Sequence, residues 1–188
     1  MKANVIILVP IFFISLNMAY SQDQLKQFVF NIGGSLSYTS TKTSSPTSYK
    51  YGYTKTEISE LTPTFAIFLV DRFQVGVSWS YLYASSKGYD PDGTYSGGGV
   101  MTKQISYGIN IRYYYPIDKH AVFIGGGYAY DVYLDNHVGH SYIGESGFDL
   151  FVSQSIAVEP SVRYIQMPME GFFYSTYLLS LGLRYFFL

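Results

Sequence analysis

Large apolar residues alternate with small or polar ones along most of this chain of 188 residues. The pattern is clearest over Phe173–Leu188, where Tyr177, Leu179, Leu181, Leu183, Tyr185 and Phe187 occupy every second position. Between them lie Thr176, Ser180, Gly182 and Arg184. A period of two describes a strand with one oily and one mixed face. The same rule predicts seven earlier strands: Phe28–Thr39, Thr56–Leu69, Phe73–Ala84, Met101–Tyr115, Val122–Tyr133, Tyr142–Phe151 and Ile156–Ile165.

The connections alternate in length. Short turns are predicted at Val70–Arg72, Pro116–His120 and Ser153-Gln154, with longer loops at 41–53, 85–99 and 135–141 and a short one at 167–171. Over the first ten or so residues of each strand, counted from its short-turn end, the oily face carries no charge. Lys103 has the same parity but lies beyond that band. The opposite face holds Glu60, Arg112, Asp131, Glu145, Asp149, Glu159, Arg163 and Arg184. A charge facing lipid near the midplane costs roughly 2–4 kcal/mol. The fold predicted is all-β: an eight-stranded antiparallel up-and-down transmembrane β-barrel. An even strand number puts both mature ends on one side, the periplasm. Pro63 and Pro160 fall inside strands, where each removes a ladder donor, so a bulge or local irregularity is expected at both.

Composition sharpens this picture. Only 13% of residues are charged, against about a quarter in a soluble domain, while Tyr (21) and Phe (14) are abundant. No segment after the leader is apolar enough for a spanning helix. Two sets of aromatic positions predict interfacial girdles. Phe28, Phe73, Tyr113, Tyr115 and Phe187 form the inner one; Tyr38, Tyr81, Tyr83, Tyr107, Tyr130 and Tyr177 form the outer. Residues 1–21 read as a cleavable signal peptide: Lys2, an apolar run Val5–Leu16, and small residues at Ala19 and Ser21. Residues 22–188 are the barrel domain. The absence of cysteine excludes lipid anchoring through a thiol, disulfides and Cys-based metal sites. The formal net charge is −1, and −2 once Lys2 leaves with the leader, which gives no grip on nucleic acid.

Hairpin segments such as Leu61–Phe73 and the chain's end resemble the small eight-stranded outer-membrane barrel family, the OmpX and OmpA-barrel type. In such proteins a polar residue, a glycine and two aromatic positions near the end are read by the barrel-insertion machinery. Here they are Ser180, Gly182, Tyr185 and Phe187, followed by one extra residue, Leu188. The resemblance implies assembly by that machinery and a bacterial outer-membrane location. It does not fix an activity.

The inward charges suggest either a constriction controlling ion passage or a structural plug, and an eight-stranded barrel is narrow enough to be filled by its own side chains. Five carboxylates against three arginines leave an excess of acid. His140, Ser141 and Glu145 approximate the residues that lipid A-modifying barrels use, but neighbours on a strand point to opposite faces. His137 and His140 are expected in a loop, His120 in a turn. Tyr49, Tyr51, Tyr53, Tyr89 and Tyr95 offer a carbohydrate-stacking surface in the loops. The expectation is a non-enzymatic structural or surface-interaction barrel, without cofactor or metal. Its partners are outer-membrane lipid and an extracellular ligand at loops 41–53 and 85–99. A narrow channel for ions or small solutes and a lipid A-modifying enzyme are the alternatives.

Overall fold

A computed structural model describes residues 25–43, 53–90, 92–133, 137–169 and 172–187. The signal peptide expected at 1–21 lies outside the described residues. Eight strands follow one another: β1 (Phe30–Thr43), β2 (Tyr53–Val70), β3 (Phe73–Tyr89), β4 (Tyr95–Ile117), β5 (His120–Tyr133), β6 (Val138–Phe151), β7 (Ile156–Met169) and β8 (Phe172–Phe187). Each is antiparallel to the next, and β8 returns to β1, so the sheet closes. Closure is what lets a sheet enter lipid, because no ladder group is left at an edge.

The period of two becomes an inside and an outside. Leu36 is 65% exposed while Ser37 is 4% exposed, and Leu183 is 59% exposed beside Arg184 at 4%. The oily face has no protein layer over it. Apart from Phe28, which precedes β1 with a left-handed backbone (φ 64°), both predicted girdles have this outward parity, with Tyr113, Tyr115 and Phe187 exposed at one end and Tyr38, Tyr107 and Tyr177 at the other.

Two of the short turns are two-residue hairpins. Asp118-Lys119 is closed by Ile117↔His120, and Asp71-Arg72 by Val70↔Phe73 beside a register shift between Phe68 and Val70. Arg72 (φ 69°) and Asp118 (φ 55°) take the left-handed backbone these loops require. The chain before β1 is tied to this end of the barrel. Gln27 N donates to Asp71 Oδ1 (2.9 Å), Phe28 N to Phe68 O (2.7 Å) and Arg72 N to Leu25 O (2.8 Å).

The loop bounds need correcting. The loop predicted at 85–99 is mostly strand: β3 runs to Tyr89 and β4 starts at Tyr95, leaving a tip closed by Asp90 N to Thr94 O (2.9 Å). Likewise Thr41–Thr43, Tyr53, Val138–Ser141 and Met167–Met169 are strand; residues 44–52 lie outside the described residues. Polar Ser, Thr, Lys and Gly segments have no oily face to announce them, yet they pair as ladders. The local irregularity expected at each proline is present, and in neither case is it a bulge. Pro63 pairs with Gly34 and Pro160 with Leu181. On the other flank the ladder skips, from Leu61↔Tyr81 to Thr64↔Ser78 and from Gly147↔Ser161 to Leu150↔Val158, with register unchanged. A missing donor is absorbed by an interrupted ladder, without an extra residue.

Candidate functional site

The barrel interior is stacked in three layers. At the short-turn end Phe68, Tyr114, Phe123, Phe151 and Phe186 converge with Leu25, all buried. Their rings touch in sequence: Phe68–Tyr114 at 5.3 Å, Tyr114–Phe123 at 5.6 Å, Phe151–Phe186 at 5.2 Å. This aromatic plug was not anticipated. Its signal lay in doublets such as Phe68-Leu69, Phe123-Ile124, Leu150-Phe151 and Phe186-Phe187, where both parities are apolar and so both faces are dry.

All eight predicted charges are buried on the inner face, most of them above the plug, with Asp149 level with it opposite Ala121 and Asp131 towards the loop end opposite Ser106. Arg112 donates from Nε and Nη2 to Glu145 (2.5 and 2.8 Å) and from Nη1 to Glu159 (2.7 Å). Arg184 donates to the same Glu159 oxygen through Nε and to Asn31 Oδ1 at 2.9 Å. Arg163 binds Glu60 at 2.8 Å and Thr62 Oγ1 at 3.3 Å. The guanidinium of Arg112 also rests 4.3 Å from the Phe123 ring centroid, joining this layer to the plug. Asp131 and Asp149 are held less closely: no oxygen of either carboxyl is within hydrogen-bond distance of a partner, although Asp149 lies near Glu159, Arg184 and Arg112. The excess of acid thus falls on these two. The void left among the arginines is about 30 Å³, room for little more than water.

The third layer, towards the loop end, surrounds a cavity of about 220 Å³. Ile58, Leu82 and Ile165 line it and pack with Leu178, while Gln104, Ser106 and Ser141 add polar groups to the lining. Tyr133 reaches from β5 to Met167 of β7, with its hydroxyl 3.6 Å from Sδ.

The enzyme constellation does not assemble. Ser141 and Glu145 are buried inside, whereas His140 is on the outer face of β6, stacked on Tyr128 (5.8 Å) and edge-on to Tyr142 (5.8 Å). His140 is therefore strand and not loop. His137 lies at the loop end and His120 at the opposite turn. Among the described residues no group of three His, Cys, Asp or Glu is placed to hold a metal ion.

The C-terminal pattern is divided between faces. Ser180 Oγ is 2.5 Å from Ser37 Oγ inside, and Gly182 is buried opposite Glu159. Tyr185 and Phe187 face outward with their rings 4.9 Å apart. Leu188, Tyr49 and Tyr51 lie outside the described residues. Tyr53, Tyr89 and Tyr95 belong to strands and pack on one another: Tyr53–Tyr89 stack at 5.1 Å and Tyr89–Tyr95 meet edge-on at 6.0 Å.

No protein-family model matches this chain, and no curated protein matches it. Among solved structures it is similar to Neisserial surface protein A, with 14% identity and a TM-score of 0.55, over 85% of this chain and 97% of that one. It is also similar to the outer membrane protein OprG from Pseudomonas aeruginosa, with 16% identity and a TM-score of 0.54, over 86% and 97% of the two chains. At such identities the likeness is one of fold: the eight-stranded barrel of outer-membrane proteins.

Proposed function

We propose that this chain, which has the fold of the small outer-membrane barrels, is an integral protein of the bacterial outer membrane, plugged and non-enzymatic, that meets partners at the cell surface. Its mature termini lie in the periplasm, and Ser180, Gly182, Tyr185 and Phe187 form the handle for the insertion machinery. The uncharged oily exterior supports the membrane assignment, since that surface needs acyl chains against it. The dry plug and the arginine layer favour a closed interior over a channel.

One observation carries the surface role. The outer part of β4 pairs with β3 up to Tyr89↔Tyr95, but its ladder with β5 begins only at Gln104↔Tyr133. Across the same sheet, Thr39–Thr43 of β1 pair with β2, while pairing with β8 stops at Tyr38↔Leu179. Among the described residues β1 and β4 thus each leave an outer edge unpaired on the flank away from β2 and β3, while β8 runs on to Phe172 paired with β7 alone. Such an edge is a template for an added strand, so the partner that fits is an extended segment of an external protein.

Two measurements test this reading. Planar-bilayer recording should give no steady open level; an open level altered by Arg112→Gln or Arg184→Gln would make the protein a channel. Replacing residues 86–100 with an Asn-Gly turn should leave a folded barrel but abolish adhesion of whole cells to protein-coated surfaces. Unchanged adhesion would remove the surface role from this sheet. A changed lipid A mass profile after His140→Ala or Glu145→Ala would reinstate the enzyme.

A further inference from the structure

The outward face of the loop-end part of β1, β2 and β3 carries an arrangement that folding does not account for. Lys42 of β1 is directly opposite Lys55 of β2, and Lys55 is directly opposite Lys87 of β3. Like charges facing each other across a sheet destabilise it, and here two such pairs lie side by side. The single carboxylate among them, Glu57, is 2.6 Å from Lys55 and accepts a 3.4 Å hydrogen bond from Tyr38 Oη. It leaves two cations in excess. Lys42 Nζ lies 3.5 Å from the centroid of the Tyr53 ring, which stacks on Tyr89.

This face has a definite direction. Lys42 shares the parity of Leu36 and Tyr38, Lys55 that of Leu61, and Lys87 that of Tyr81, all of them exposed on the oily exterior. The lysine row therefore continues the lipid-facing surface upward, past the aromatic girdle, to the height where headgroups begin. Strands are about 4.8 Å apart, so ammonium groups on three neighbouring strands can converge on one phosphate or on two close together.

We propose that this face binds the phosphorylated sugar headgroup of a glycolipid in the surrounding leaflet. Lys42, Lys55 and Lys87 neutralise phosphate, and Tyr53 with Tyr89 packs against sugar. The proposal rests on the outer-membrane reading given above. Lysine suits the task as a compact point charge with three donors. The occupant is a membrane lipid because the same surface runs without a break into the band around Leu61 and Tyr81, where its acyl chains lie. Glu57 opposes binding, competing for Lys55 and repelling phosphate.

The test uses the full mature barrel, purified in a non-ionic detergent and titrated with rough lipopolysaccharide while bound glycolipid is counted by native mass spectrometry. Lys42→Gln/Lys55→Gln/Lys87→Gln should weaken binding at least tenfold, and Glu57→Gln should strengthen it several-fold. Dephosphorylated lipopolysaccharide should bind the intact barrel no better than the untreated lipid binds the triple variant. Equal binding by wild type and triple variant overturns the proposal. So does an equal loss in Lys26→Gln/Lys119→Gln, which removes cations from the other end. If the deacylated, phosphorylated core oligosaccharide binds as tightly as the lipid, the ligand is a soluble saccharide and the lipid assignment fails. Should the triple variant not fold, Lys87→Gln alone decides, with a several-fold loss expected. Failure of the outer-membrane reading is separate: the wild-type protein would then show no heat-modifiable folded band in detergent.

Discussion

Arg112 and Glu145 meet as a fork, with Nε on Oε1 at 2.5 Å and Nη2 on Oε2 at 2.8 Å, both side chains buried. The parallel geometry satisfies both carboxylate oxygens at once. A buried pair of this kind adds little over apolar residues of the same volume, but losing one partner strands a charge. Arg112→Gln is therefore expected to lower the unfolding free energy by about 3–5 kcal/mol, read by urea titration in lipid vesicles. Arg112→Met combined with Glu145→Leu should lose much less, because Arg184 still holds Glu159.

Gly125 makes room for that arginine. A Cβ there would lie 2.6 Å from the Ile111 carbonyl oxygen and 2.8 Å from Arg112 Cγ. The first neighbour is backbone and cannot swing away. Gly125→Ala should destabilise by about 1–3 kcal/mol, the usual range for overpacking. Gly144→Ala, where nothing lies within 4 Å, should be close to neutral. Unfolding midpoints of the two variants, measured side by side, check the contrast.

The barrel was legible because its determinant is local. Alternation along ten residues assigns faces, and it correctly separated Leu36 from Ser37 and Leu183 from Arg184. The reach of β3 and β4 was not legible, because Ser85–Tyr89 and Tyr95–Gly99 are held by ladder bonds and stacked tyrosines above any oily face. The plug was missed for the opposite reason: Phe186 and Phe187 are both apolar, so parity alone gives no contrast. The lysine row depends on register between strands, and a single sequence carries no direct record of that pairing.

Asp131 has no exposed surface and no hydrogen-bond partner for either oxygen. Its strand partner across β4, Ser106, receives its hydrogen bond from Gln104 Nε2 instead (2.9 Å). A buried polar group left unpaired costs about 1–3 kcal/mol. Asp131→Asn keeps the shape and adds donors, so it should raise stability by about 1 kcal/mol. Glu145→Gln, which breaks the fork, should lower it. Opposite shifts of the urea midpoint are the expected result.

His120 is the first residue of β5, beside the Asp118-Lys119 turn at the end of the barrel. Partial burial, reinforced by the Lys119 charge and opposed by Asp118, holds its pKa below the ordinary 6.5. Its Nδ1 is buried without a partner. A depressed histidine pKa means the folded state prefers the neutral ring, while the unfolded chain takes up a proton first. Stability from this group is complete above pH 6.5 and is lost as pH falls from there to the lower folded value. His120→Gln should flatten this part of the stability profile below pH 6.5, measured by denaturant unfolding at fixed ionic strength.

Phe186 separates stability from closure. Its ring packs 5.2 Å from Phe151 and 6.5 Å from Phe68, and its backbone N donates to Ser155 O at 2.8 Å, a bond that any side chain would keep. Phe186→Ala should cost about 3–5 kcal/mol, the range for removing a buried ring. It should still produce no steady conductance, because Arg112, Glu145, Glu159 and Arg184 cross the lumen above the gap it leaves. Adding Arg184→Ala to Phe186→Ala removes a barrier from each of two layers. If the barrel is sealed twice over, the double variant should conduct where neither single one does. Conductance from Phe186→Ala alone would mean that the aromatic layer is the only seal.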